Sequence, residues 1–181
     1  MNTRRLNSPR FNLSPLVQAV ASTFVMGIAH AQSVPSGALP TGGQVVAGQA
    51  VISPPQGNRL DIQQQSQNAA INWQSFNIGA SAQVNFNQPS SSSITLNRVV
   101  GQDPSSIMGS LTANGQVFIL NPNGVLFGKS AQVNVGGIMA STMGMSNQNF
   151  MSGRYQLDTP PTRSEEHTSE LQSNSDLVCR L

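Results

Sequence analysis

Between Gln32 and Thr162 the acids available for chemistry are Asp61, Asp103 and Asp158, standing far apart along the chain. That segment holds no glutamate, histidine or cysteine: the two histidines of the chain are His30 and His167, and its one cysteine is Cys179. A Ser-His-Asp or Cys-His nucleophile, an ordinary zinc site and a glutamate general acid are therefore excluded there. An exported enzyme that cleaves polysaccharides, the main rival reading, needs grouped carboxylates, calcium or a strong base. Only a fold that gathered the three distant aspartates would supply them. No catalytic residue, metal ligand or cofactor is expected.

A more specific pattern is Asn121-Pro122-Asn123-Gly124. Asn at the first position, Pro at the second and Gly at the fourth are each favoured in a type I turn, and Asn side chains bond local backbone. The turn joins two apolar runs, Val117–Leu120 and Val125–Phe127, so its first reading is a well-made corner. Trp73, within Ile71-Asn72-Trp73-Gln74-Ser75-Phe76, is an aromatic able to stack on a sugar. Its apolar neighbours make it a core or cap residue by default.

Charge narrows the partners. The segment Gln32–Thr162 carries four basic residues (Arg59, Arg98, Lys129, Arg154) against three acidic ones, a net of +1. The sequence pI near 9.3 owes much to Arg4, Arg5 and Arg10 at one end and to Arg163 and Arg180 at the other. No basic stripe exists to bind nucleic acid.

The two ends read differently from the middle. Arg4, Arg5 and Arg10 precede an apolar centre, Leu16–Ala29, that closes in Ala29-His30-Ala31, which is the pattern of a secretory signal cleaved between Ala31 and Gln32. That centre contains Gln18, Ser22, Thr23 and Gly27 and falls short of the ~20 apolar residues of a membrane span. The signal implies passage through the export machinery of the inner membrane. At the other end, Arg163–Leu181 crowds Arg163, Glu165, Glu166, Glu170, Asp176 and Arg180 into a short stretch, whereas charge is sparse throughout Gln32–Thr162. Its beginning, Arg163–Ser173, looks like a translated sequencing adapter, so residues 163–181 are expected to be foreign and the natural protein to continue past Thr162.

The elements that must position Asn121–Gly124 are short strands. Apolar and polar residues alternate in Ala82–Phe86 and Ala131–Val135, and Ile94–Leu96, Val117–Leu120 and Val125–Phe127 are strand-like runs bounded by Gly, Asn and Pro. Asn114-Gly115 and Gly136-Gly137 are further turn signals, and Ser90–Ser93 is the piece nearest to low-complexity disorder. No helical period is sustained outside the signal, which makes the fold class all-β. Gly79–Phe86 recurs as Gly128–Val135, and about half that displacement separates Leu60 from Val84 and Asn97 from Asn121. A period in the twenties favours a β-solenoid over a closed sandwich. The lack of cysteine in an exported segment leaves stacking, rather than disulfides, to stabilise it.

In Asn114–Gly128, Ala70–Gly79 and Leu96–Gly101 the chain resembles the N-terminal secretion domain of filamentous-haemagglutinin-like exoproteins of the two-partner secretion pathway. The resemblance runs from about Leu39 to about Tyr155. It implies a right-handed parallel β-helix with an N-terminal cap. It also implies recognition in the periplasm of a Gram-negative bacterium by a partner outer-membrane β-barrel transporter with periplasmic POTRA domains. The family's secretion motif falls on Asn121, Pro122, Asn123 and Gly124; its second motif, of the NTTL type, has no counterpart that can be placed. Adhesion to host cells or glycans is expected of the remainder of such an exoprotein rather than of residues 32–162. Direct adhesion by this segment, and an exported polysaccharide-binding or polysaccharide-cleaving β-helix, are the competing readings.

Overall fold

Alternating side chains place every second residue of a strand on one face, and in this chain the inward set is mostly apolar, coil after coil. The computed structural model describes residues 34–158. The expected signal with its Ala31–Gln32 cleavage point, and the segment 163–181, lie outside the described residues.

Two strands come first, β1 (Gln44–Ala47) and β2 (Ala50–Ile52). Then the chain winds in coils. The first carries β3 (Arg59–Gln64) and β4 (Asn68–Trp73); the second β5 (Gln83–Asn87), β6 (Ile94–Val99) and β7 (Ser105–Ile107). The third carries β8 (Ser110–Ala113), β9 (Gln116–Leu120) and β10 (Val125–Phe127), and the fourth β11 (Gln132–Asn134) and β12 (Gly137–Ser141). Strands stack on their counterparts to give three sides, ordered β2-β3-β5-β8-β11, β1-β4-β6-β9-β12 and β7-β10. All coil-to-coil pairings are parallel, whereas β1 and β2 pair antiparallel with β4 and β3. The fold is a parallel β-solenoid of about four turns with an N-terminal cap. The strands read from sequence are all present.

The register explains the repeat. Leu60 pairs with Val84, as their spacing predicts, and Gln83 pairs with Ser110, which pairs with Gln132. Gly79–Phe86 and its recurrence at Gly128–Val135 are therefore two coils apart. Asn97, by contrast, lies opposite Ile119 and not Asn121: coils differ in length, so a fixed spacing fails on this side.

Inside, Leu60, Val84 and Leu111 form one column, Ile71, Asn97 and Ile119 a second, and Ile78 with Ile107 a third, all buried. Trp73 is 1% exposed and its ring N–H donates to Asn97 Oδ1 at 2.9 Å, so it is a core residue with its polar atom satisfied. It stacks on no external sugar. Ser90–Ser93 is an ordered corner: the Ser90 N–H donates to Ser93 Oγ and the Ser93 N–H to the Ser90 carbonyl, both at 3.1 Å.

The inner strands of the β1-β4-β6-β9-β12 side, β4, β6 and β9, are buried on both faces, which is why Val117–Leu120 reads as a continuous apolar run rather than an alternation. Its outer face, with Ala70, Leu96, Phe118 and Leu120, is covered by α1 (Asn147–Met151) and the segment after it. Phe118 meets Phe150 at 6.4 Å and Tyr155 at 5.5 Å, both edge to face. This five-residue helix is an addition to a fold that is otherwise strands and turns, as expected of an all-β chain. It is too short to show a period, and the local signal is Ser146, whose side chain accepts the Asn149 N–H at 3.2 Å as an N-cap.

Candidate functional site

The apolar strands β9 and β10 hold Asn121–Gly124 between two sides of the solenoid. Asn121 is wholly buried, because its side chain turns inward and down onto the coil beneath. Its Nδ2 donates to the Asp103 carbonyl and to Ser105 Oγ, each at 3.0 Å. Its Oδ1 accepts the Asn123 N–H at 2.9 Å and Asn123 Nδ2 at 3.3 Å. Its backbone N–H reaches the Ser141 carbonyl of the coil above at 3.0 Å. One residue thus ties three coils together.

The Gly124 N–H closes the turn onto the Asn121 carbonyl at 3.0 Å, and the Gly124 carbonyl accepts the Ser105 N–H at 2.9 Å. Gly124 has φ of 110° with open space around it, so backbone conformation rather than crowding calls for glycine. Pro122 and Asn123 face solvent. Asn123 Nδ2 also donates to the Gly101 carbonyl at 3.0 Å. The motif therefore has two halves, an internal clamp and a presented tip. It contains no group that titrates or attacks; its chemistry is hydrogen bonding and shape.

The three aspartates stay apart. Asp61 lies on the outer face of β3, Asp103 on the turn before β7, and Asp158 in a backbone bridge to Gly144. Among the described residues no three acids, histidines or cysteines gather as metal ligands. Two hydrogen bonds from Arg59, Nε to Oδ2 and Nη2 to Oδ1, each 2.8 Å, hold the Asp61 carboxyl below the usual carboxylate range. Burial opposes this slightly and Asn85 Nδ2, at 3.1 Å, adds to it. Because the folded value is lowered, the stabilisation is present above the unfolded pKa of about 3.9 and is lost as pH falls through the lower folded value. The pair is exposed, so the effect is small. An Asp61→Asn variant should melt slightly below the parent at pH 7, and thermal scans should show that gap closing in strong acid. A gap that persists there would contradict the assignment.

One internal feature escapes sequence reading. Gln64 and Gln88 are buried at the corner between β3 and β4 and its counterpart one coil on. Gln64 Nε2 donates to the carbonyls of Ser66, Gln67 and Ile94. Gln88 Nε2 lies within reach of the Ser93 and Gln116 carbonyls and of Thr95 Oγ1, while its Oε1 accepts the Gly115 N–H at 2.9 Å. The amide column requires glycine next to it: a Cβ at Gly115 would sit 2.6 Å from the Ser93 carbonyl and 2.7 Å from Gln88 Oε1.

A family model described as the TPS secretion domain matches residues 31–175. The chain belongs to the TPS secretion domain family. The match opens at Ala31 and runs past Thr162, into the segment expected to be foreign. A structure described as the HMW1 secretion domain from Haemophilus influenzae aligns with a TM-score of 0.64 at 37% identity, over 67% of this chain and 32% of that one. Two proteins named heme/hemopexin-binding protein, both from Haemophilus influenzae, are also similar. One is 45% identical over 104 residues, covering 58% of this chain and 11% of the relative; the other is 36% identical over 142 residues, covering 78% and 15%. The chain thus spans a small part of the curated relatives it matches. As a TPS secretion domain it is the secretion-address domain of a secreted exoprotein, exported through the periplasm of a Gram-negative bacterium with an outer-membrane transporter as partner.

Proposed function

We propose that this TPS domain is read in the periplasm by the POTRA domains of its transporter, that Asn121–Gly124 is part of what is read, and that the folded coils then nucleate a longer β-helix. The observation that carries the address is the divided turn: the Asn121 side chain is tied to the coil beneath and to the Asn123 N–H, which supports Pro122 and Asn123 at the surface. Nucleation is supported by the last inward positions on the three sides. Phe127, Val133 and Ile138 are 40%, 39% and 44% exposed, although each continues a buried column, so a further coil would find a ready apolar surface. The much greater length of the curated relatives is consistent with such coils.

The domain works by being recognised and not by catalysis. The separation of its aspartates and the burial of Trp73 both speak against a polysaccharide-cleaving or sugar-stacking site. Contact with host cells or glycans belongs, on this reading, to the remainder of the exoprotein. The signal is cleaved after Ala31; intact mass of the periplasmic form should begin at Gln32, and retention of Met1–Ala31 would refute this. The recognition step is tested with a transporter whose POTRA domains are deleted but whose barrel still inserts. The chain should then accumulate in the periplasm, and normal export would overturn the proposal.

A further inference from the structure

One loop departs from the rule that each coil of a solenoid touches only its neighbours. After β12 the chain leaves the stack, and Gly144 and Asp158 exchange both backbone hydrogen bonds at 2.8 Å. Residues 144–158 are thereby closed into a compact loop that carries α1. The loop reaches back past the coil it follows: α1 packs against β4 of the first coil and against β1 of the cap. Phe150 and Met145 are 0% and 3% exposed and share one cluster with Ala70, Leu96, Phe118 and Leu120, which come from three successive coils.

Arg98 fastens the same junction. Its Nη1 donates to Asn72 Oδ1 of the first coil at 3.0 Å. Its Nη2 donates to the Met145 carbonyl at 2.5 Å and to Asn147 Oδ1 at 3.0 Å. The guanidinium is half-buried and forms no ion pair among the described residues, so oxygens of the loop take the place of its water. Without the loop, an apolar strip across three coils would face solvent. Such a strip opposes formation of the coils that carry it.

We infer that residues 144–158 are a clasp, and that its docking through Phe150 and Arg98 is the step that commits the first three coils to fold. Segments far apart in sequence must meet in that step, and such contacts form slowly because loop closure precedes them. The first coil then waits for a segment that emerges long after it. For a chain handed to an outer-membrane transporter, this prolongs the time before the coils close. The folding claim stands independently of Asn121–Gly124; only the benefit to export rests on the transporter reading.

The chain's one tryptophan makes the test direct. Trp73 is buried at the end of β4 and remote in sequence from Phe150, so its fluorescence reports the first coil. In the full chain, refolding and unfolding after rapid mixing with urea are compared for the parent, Phe150→Leu and Arg98→Gln. Both variants should slow recovery of the Trp73 signal about fivefold or more and change the unfolding rate by less than about twofold. Ile107→Val, in the separate inner core, should instead mainly speed unfolding. Clasp variants that refold at the parental rate and unfold faster would make the loop a late cover, overturning the clasp. Slowing by Ile107→Val as large as that by Phe150→Leu would overturn it too, since the whole solenoid would then form in that step. With the cognate transporter, Phe150→Leu should reach the medium at least as efficiently as the parent. A clear fall in its secreted fraction would overturn the benefit to export and spare the clasp.

Discussion

A Gln88→Leu variant should melt about 10 °C or more below the parent chain, a loss of about 3–5 kcal/mol. The two side chains have similar size, so little volume is lost. What goes is the amide that accepts the Gly115 N–H and spans the Ser93 and Gln116 carbonyls in a site with no water-facing alternative. A buried donor left without an acceptor costs far more than a hydrogen bond gains. Thermal melts followed by circular dichroism read the effect directly. A shift of only a degree or two would mean that the corner rearranges to pair these groups elsewhere.

The second large effect separates the two asparagines of the turn. Asn121→Ala strips the partners from the Asp103 carbonyl, Ser105 Oγ and the Asn123 N–H, and should cost about 2–4 kcal/mol. Asn123→Ala removes an exposed bond to Gly101 and should cost about 1 kcal/mol or less. If the tip is read by the transporter, secretion falls steeply for Asn123→Ala while its melt barely moves; for Asn121→Ala, both fall together. Equal secretion by Asn123→Ala and parent would reduce the motif to a corner. The burial of Asn121 makes the pairing of the two variants necessary, since a loss of secretion from Asn121 alone would confuse folding with recognition.

That burial was not legible in the sequence. Asn before Pro and Gly has the composition of a solvent-facing turn, and only the stacking of coils reveals that the carboxamide points at Ser105. Strand positions were legible because period-two alternation survives in Gln83–Asn87 and Gln132–Asn134. The coil period was only partly so. Arg59 stacks under Gln83, Gln83 under Ser110 and Ser110 under Gln132, in steps of unequal length. Extra residues inserted at corners leave the strands aligned while breaking any fixed spacing. Gln64 and Gln88 were hidden for another reason. They continue the inward alternation of β3 and β5, yet glutamine at such a place looks like an exposed residue until the corner carbonyls that it serves are seen.

This TPS domain is a secretion address that acts through an outer-membrane partner. The partition of the full chain between periplasm and medium, in Gram-negative cells with and without the cognate transporter, reads that role without intermediaries. The chain should reach the medium only when the transporter is present, and remain periplasmic otherwise. Retention in the periplasm despite a functional transporter, or equal release without one, would show that the domain is no such address.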